Sequence, residues 1–424
     1  MITRRNLLKL AGMCCLSGFG VLRSDWLSFA EALPAASGPV SESILVVIFQ
    51  RGAMDGLMAV APYTDPVLPH VRPSLFIPGV QQGNADPNKM MDLDGRFGLH
   101  PAFAELEPLF HTGRMAVVHG VGLTIPNRSH FDAQDYIETG VLSQKGFPSG
   151  WLNRVAVLLP SSGALQAVSL TSVLPRSLSG DFPAVAVTNL AEFGINLPAS
   201  GKAFNQTALQ ESMASYAKSS NTILRTVAQQ GFAASQTLAS AKFDEATNGS
   251  GFSYPKSSLG NSLRQIAKII KANMGLRIAC AESTGWDTHV GQGTINGAFS
   301  RPAKDLSQAI GAFWQDIADY QNKVVVLTVT EFGRTVRENG SKGTDHGRGS
   351  CMFVLGGKVN GGHVYGTVPE LRSENLADQR DLPVTTDFRS VFAEVLRGHL
   401  GIQQLQKIFP DNPQLGAIHL WGGF

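Results

Sequence analysis

The sequence predicts an α/β layered fold with a mainly parallel central sheet, and three observations support that class. Short, nearly continuous apolar runs recur along the chain. Segments with helical spacing of apolar residues lie between them, and most runs end in glycine-rich or polar turns. Continuous apolar runs suit strands covered on both faces, and strands alternating with helices suit a parallel sheet with helical layers.

Residues 43–50 (SILVVIFQ) form the first predicted strand, which ends in the turn Arg51-Gly52-Ala53-Met54-Asp55-Gly56. A loop rich in Pro, Asn and Asp follows over 62–98, then a predicted helix over 101–110 and a second strand over 114–119. Asn127-Arg128-Ser129 leads into a predicted helix containing Asp132, Ala133, Gln134 and Tyr136. Further strands are predicted over 276–280, 323–328 and 351–355, with helices over 259–274, 303–320 and 388–400. Residues 203–247 are rich in Ala, Ser, Gln and Thr, with Leu209, Met213, Tyr216, Ile223, Leu224 and Val227 at helical spacing. They read as a helical insertion, either a lid or a solvent-facing packing element. No internal repeat or low-complexity tract is evident.

The N-terminus predicts export. Thr3-Arg4-Arg5-Asn6-Leu7-Leu8-Lys9 carries the paired arginines of a twin-arginine signal, and the apolar run behind it is interrupted by Gly12, Gly18 and Gly20. That run falls short of the roughly 20 apolar residues a membrane span requires. Small residues at Ala30, Ala32, Ala35 and Ala36 offer signal-peptidase sites, so residues 1–36 are expected to be the signal and 37–424 the mature domain. The expected location is the periplasm and the expected partner is the twin-arginine translocation machinery.

Removing residues 1–32 takes away four basic and two acidic side chains of 35 and 33, leaving 31 of each. That balance argues against a nucleic-acid partner, which selects a basic excess. No transmembrane segment is expected in the mature chain. Of four cysteines, Cys14 and Cys15 leave with the signal; Cys280 and Cys351 remain as either a disulfide or two buried thiols.

Ligands of open α/β sheets sit beyond the carboxyl ends of the strands, and here those ends carry metal-binding residue types. Asp55 follows the first strand, and Asp287 and His289 follow the strand at 276–280. Glu331 and Arg334 follow the strand at 323–328, while Asp345 and His346 precede the strand at 351–355. Carboxylates and imidazoles are ligands for zinc, manganese or magnesium. Each residue also has a structural reading. Asp55 suits a glycine turn, Glu331 and Arg334 would pair with each other, and His363 between glycine and valine suits a turn. Ser129 opens a predicted helix, where it is either a cap or a nucleophile placed among backbone N–H groups; His130 beside it would help hold an oxyanion.

The segments RGAMDGL (51–57), GLHPAFAEL (98–106), MAVVHGVG (115–122), SHFDAQDYIETG (129–140), GWDTH (285–289), VLTVTEFGRTVREN (326–339), GTDHG (343–347) and LPVTTDFR (382–389) resemble the domain-of-unknown-function family 1501 (DUF1501). These are exported bacterial proteins grouped with the alkaline-phosphatase and sulfatase superfamily. The resemblance implies an alkaline-phosphatase-like three-layer sandwich in which strand ends hold two divalent metals around a Ser, Thr or Cys nucleophile. On that pattern Asp55 is similar to the metal-bridging acid, Ser129 falls near the nucleophile, and Asp287 with His289 resembles the Asp–His pair of one metal. Phe332 stands where the imidazole of an Asp-His-Gly is usual; either His346 stands for the late histidine, or Asp345–His346 is itself the Asp–His pair, displaced along the chain. Two functions follow as expectations. One is a periplasmic metal-dependent hydrolase of phosphate or sulfate esters, with Ser129, His130 and Arg334 in catalysis and Asp55, Asp287, His289, Glu331, Asp345 and His346 at the metal. The other is a catalytically inactive cell-envelope binding or scaffold protein.

Overall fold

The computed structural model describes residues 42–80, 86–190 and 251–422, with Ser215, Gly231, Ala233 and Ala234 as isolated helical positions between them. The expected signal at 1–36 lies outside the described residues, as does nearly all of the expected insertion at 203–247.

The central element among the described residues is a nine-stranded sheet. Its strands are β1 (Ile44–Arg51), β2 (Met115–Gly122), β3 (Ala167–Ser169), β4 (Val185–Ala186), β5 (Ile278–Thr284), β6 (Val324–Val329), β7 (Ser350–Gly356), β8 (Val364–Tyr365) and β9 (Thr386–Asp387). The order across the sheet is β8-β2-β7-β6-β1-β5-β3-β4, with β9 also pairing with β2. β1 lies in the interior with parallel neighbours on both sides, Val46 opposite Ala279 of β5 and Val326 of β6. Among these described strands only β7 reverses direction, antiparallel to both β6 and β2. The sheet is therefore mainly parallel, as expected from the sequence.

The pleat of β1 explains why its run is apolar throughout. Val46 and Ile48 enter the core on one side, and Leu45, Val47 and Phe49 enter the core on the other. Each such buried side chain contributes about 1.5–3 kcal/mol of apolar transfer free energy. On the first side pack the amphipathic helices α3 (Ser258–Lys271) and α4 (Ser300–Asp316), through Leu263, Ile266, Ile270, Leu306, Ile310 and Phe313. The second side is covered by α1 (His130–Thr139), α2 (Trp151–Leu158) and α5 (Phe388–Gly398). There Trp151 stacks on Phe392 with centroids 4.2 Å apart. The result is three layers, helix–sheet–helix. Among the described residues no helix is long and apolar enough to cross a membrane.

The structure departs from expectation in instructive places. The helix expected over 101–110 is two pieces, a 3₁₀ turn at Pro101–Phe103 and a short helix at Glu107–His111. Pro108 lacks an N–H and is tolerated only in a first turn, so the helix must restart just before it. Cys280 and Cys351 are both free and buried, in opposite cores, which removes the disulfide alternative. The two- and three-residue strands β3, β4, β8 and β9 were not anticipated, because so few residues show no periodicity.

Three histidines are buried neutral, each with Nε2 2.9–3.1 Å from a backbone carbonyl: His100 to Thr294, His119 to Val60 and His399 to Ile44. Burial pushes all three imidazoles down from 6.5 to about 4. Unfolded, each takes up a proton near pH 6.5, so acid favours the unfolded chain across the window between the two values. Their contribution, on the order of 3 kcal/mol each, is complete above pH 6.5 and lost progressively toward pH 4. Urea midpoints measured between pH 7.5 and pH 4 should fall along that window; a flat profile would rule out buried neutral imidazoles.

Candidate metal centre

The carboxyl ends of the parallel strands and the amino end of β7 meet at one edge of the sheet. β2 leads through residues 123–129 to His130 at the start of α1, and β5 runs into Asp287 and His289. β6 runs into Glu331. Because β7 is antiparallel, the whole connection 330–349 stays at this edge and also brings Asp345 and His346 to it.

Four of these side chains converge. His346 Nε2 lies 3.0 Å from His130 Nε2 and 2.9 Å from His289 Nε2. Asp287 Oδ1 is 3.1 Å from His289 Nε2 and 3.4 Å from His346 Nε2, and Asp287 Oδ2 is 3.7 Å from His130 Nε2. His130, Asp287 and His346 form a His–Asp–His group able to hold a metal ion, their ligand atoms all within 4.8 Å of one another. Donors about 2.1 Å from a shared ion sit about 3–3.4 Å apart, the range occupied by most of these pairs.

The opposite ring nitrogens explain why the Nε2 atoms face one another. His346 Nδ1 is 2.9 Å from the carbonyl of Arg128, which only accepts. His130 Nδ1 is 2.8 Å from Glu331 Oε1, and His289 Nδ1 is 3.1 Å from Asp345 Oδ1. Each Nδ1 therefore donates its proton away from the centre, and the three Nε2 lone pairs point inward. Both accepting carboxylates are held ionised. Burial works against the charge on Glu331, but hydrogen bonds from His130, Gln134 and the Gly52 N–H outweigh it and bring its pKa below the ordinary value. Asn339 donating to Asp345 lowers that carboxyl, assisted by His289. Burial also disfavours the charge on Asp287, yet the hydrogen bond from Arg334 prevails and its pKa is lowered. Asp287, Glu331 and Asp345 outnumber the arginines facing them, Arg334 and the more distant Arg380, and leave net negative charge of the sign that complements a cation.

The structure places the remaining sequence candidates differently from expectation. Asp55 is not brought to the cluster. Its carboxylate is fully buried and held by both Nη atoms of Arg72 at 2.7 and 3.1 Å, by Gln292 Nε2 at 2.7 Å and by the Met58 N–H at 3.2 Å, where it caps a short helix. Those donors leave it as a structural anion. Arg334 is buried and each of its three nitrogens bonds to a protein acceptor, so it does not face a substrate. His130, expected to hold an oxyanion, instead aims Nε2 into the cluster. Glu331 and Asp345 support histidines from behind. Ser129 is exposed at the N-cap of α1, and its side chain does not cap the helix. His363 is exposed and meets the Tyr365 ring edge-on.

Several contributing residues were not among the site candidates read from the sequence. Phe332 is buried beneath two of the imidazoles, 4.9 Å from the His130 ring and 5.0 Å from that of His346. The position where an imidazole was expected thus holds a packing platform for two others. Gln134 bonds to Glu331, and its spacing of four from His130 on one helix was the signal that could have paired them. Nothing local marks Asn339 or the Arg128 carbonyl.

A helix–sheet–helix protein with a histidine–carboxylate cluster at the carboxyl edge of a mainly parallel sheet is the class that fold and site define. The chain belongs to the DUF1501 family, described as a protein of unknown function, whose model matches residues 109–409. No curated protein matches the chain.

Carboxylates behind metal-ligating histidines typically change affinity 10- to 100-fold when removed. Glu331→Gln, which keeps the shape of a side chain with three donors on one oxygen, is expected to weaken Zn²⁺ binding in that range by calorimetry. Asp345→Asn, half exposed, should cost less than tenfold. Unchanged affinity in both variants would show that the imidazoles are oriented by other groups.

Proposed function

We propose that this protein is a metal-dependent hydrolase built around one divalent ion held by His130, Asp287, His289 and His346. The convergence of His130, Asp287 and His346, with His289 beside the last two, is the observation that carries this reading. Zinc, manganese and magnesium were the metals expected from sequence. A set of three nitrogens and one carboxylate favours zinc or manganese over magnesium, which prefers an all-oxygen shell. Such an ion, when bound, supplies Lewis acidity toward an ester oxygen and makes water a stronger nucleophile near neutral pH.

The chain's own residues supply orientation. Glu331, Asp345 and the Arg128 carbonyl fix the three rings, and Phe332 supports two of them from below. Asp287 and Asp345 are exposed and His289 is partly so, and the cluster opens to solvent on their side. Ser129 adjoins a ligand and its hydroxyl is left uncommitted by the helix cap, which keeps it as the candidate nucleophile beside an attacking water. Phosphate and sulfate esters are the proposed substrates by analogy with the alkaline-phosphatase-like superfamily, and the three-layer architecture agrees with that analogy at the level of layers. A single cluster among the described residues supports a one-metal version of that chemistry, with Asp55 outside it.

A second reading, a cell-envelope binding or scaffold protein that holds metal without turnover, draws support from Arg334. A buried guanidinium bonded to protein acceptors through all three nitrogens leaves the centre without the charge-steadying group expected of a phosphatase. The two readings separate in one experiment. Protein purified from the periplasm should contain about one metal per chain and hydrolyse 4-nitrophenyl phosphate or sulfate in a chelator-sensitive manner. Metal content near one with no turnover would favour the scaffold, and His346→Ala retaining full metal content would reject the centre itself.

We further propose export through the twin-arginine route, which carries folded chains and so permits metal loading before transport. Replacing Arg4 and Arg5 with lysine should shift the protein from periplasmic to cytoplasmic fractions. An undiminished periplasmic pool would remove this part of the proposal.

A further inference from the structure

Arg334 reaches every segment that builds the metal centre from the β1, β5 and β7 sides. Its Nε donates to the Ala53 carbonyl at 2.8 Å, and its Nη1 to the Thr344 carbonyl at 3.0 Å. Its Nη2 faces the Gly52 carbonyl at 2.7 Å, the Trp286 carbonyl at 3.2 Å and the Asp287 carboxylate. Three of these acceptors lie in the turn after β1 or just before ligand Asp287, and the fourth carbonyl lies two residues before ligand His346. Gly52 is where the turn comes closest. Its φ is +118°, and a Cβ there would meet the Asp287 nitrogen at 2.6 Å. The backbone around the guanidinium is therefore packed so closely that Arg334 has one seat, buried to 1% exposure.

We infer that Arg334 is a positioning residue that acts through Asp287, holding one carboxylate oxygen so that the side chain meets the three Nε2 atoms before any ion arrives. This inference rests on the proposed metal centre and gives the arginine a role different from the charge-steadying one expected from sequence. The physical basis is the fork geometry of guanidinium. Its planar donors bridge carbonyls from separate loops while one edge still grips a carboxylate, an arrangement that a lysine ammonium, a point charge with three donors, cannot reproduce. Without that grip Asp287, half exposed, would exchange among rotamers facing water, and each ion bound would have to immobilise it. The geometry of the carboxylate agrees with that role. The gripped oxygen, Oδ1, is the one nearest the His289 and His346 Nε2 atoms, so the guanidinium fixes the oxygen that faces two of the rings and leaves Oδ2 on the His130 side.

The test is a double-mutant cycle on Co²⁺ binding, read by calorimetry and by the visible absorption of the bound ion, in wild type, Arg334→Gln, Arg334→Lys, Asp287→Asn and the two double variants. Thermal midpoints of the metal-free proteins check folding. In the wild-type background Arg334→Gln should weaken Co²⁺ binding at least tenfold and change the absorption spectrum, with Arg334→Lys recovering only part of the loss. In the Asp287→Asn background the same substitutions should change affinity less than threefold. Equal losses in both backgrounds, or no loss in the first, would overturn the inference, because the arginine would then act on the loops alone or not at all. Should Arg334→Gln fail to fold, the lysine arm of the cycle carries the same comparison. Wild-type protein that takes up no Co²⁺ would instead refute the metal centre, and the inference would go with it.

Discussion

Imidazoles can offer their Nε2 lone pairs to one ion only if their protons are elsewhere, and much of this site follows from that requirement. Each Nδ1 is given an acceptor: the Glu331 carboxylate, the Asp345 carboxylate and the Arg128 carbonyl. Removing the acceptors would free the rings to flip, and lone pairs would no longer meet at one point. The acceptors themselves must stay ionised or be unable to donate. Glu331 achieves this in a fully buried position because one of its oxygens receives three N–H groups, from His130, Gln134 and Gly52. A buried carboxylate with fewer partners would be driven toward its neutral form. The glycine turn after β1, the first helix turn of α1 and the end of β6 are thus tied together by one side chain.

Sheet topology decides where those groups can meet. In a wholly parallel sheet, the chain leaving β6 would have to cross to the far edge before the next strand began. Reversing β7 keeps residues 330–349 on the carboxyl edge, so this one connection supplies Glu331, Phe332, Arg334, Asp345 and His346. The Arg334–His346 and Thr335–Asp381 bridges stiffen it. Both cores beneath are tightly filled, and the apolar faces of β1, β5 and β6 leave these loops a firm base.

Much of the fold was legible in the chain. The runs of β1, β6 and β7 and the amphipathic periods of α3, α4 and α5 each appear within a few residues of their observed bounds, because a strand buried on two faces and a helix buried on one leave different marks. Legibility failed for the very short strands and at Pro108, where local stereochemistry split a helix that the apolar pattern left whole. The site was legible as an inventory. Residues of the right type at strand ends included His130, Asp287, His289 and His346, together with Asp55, which the fold sends elsewhere. Asp55 and Asp287 look alike in sequence, one acid each near a glycine after a strand. Arg72, 17 residues from Asp55, and Arg334, 47 residues from Asp287, determine what each becomes.

By itself the sequence determined the layered α/β class, the order of the main strands and helices, the kinds of ligand gathered at strand ends, and membership of a family. Those properties follow from apolar spacing and from motifs, both local along the chain. Tertiary structure alone decided which acids remain available, which nitrogen of each ring is bare, and that an arginine expected to face substrate lies beneath a ligand instead. The reason is physical: a side chain's role depends on the donor or acceptor opposite it. For His130 those partners are Glu331 and His346, more than 200 residues away and brought near only by folding.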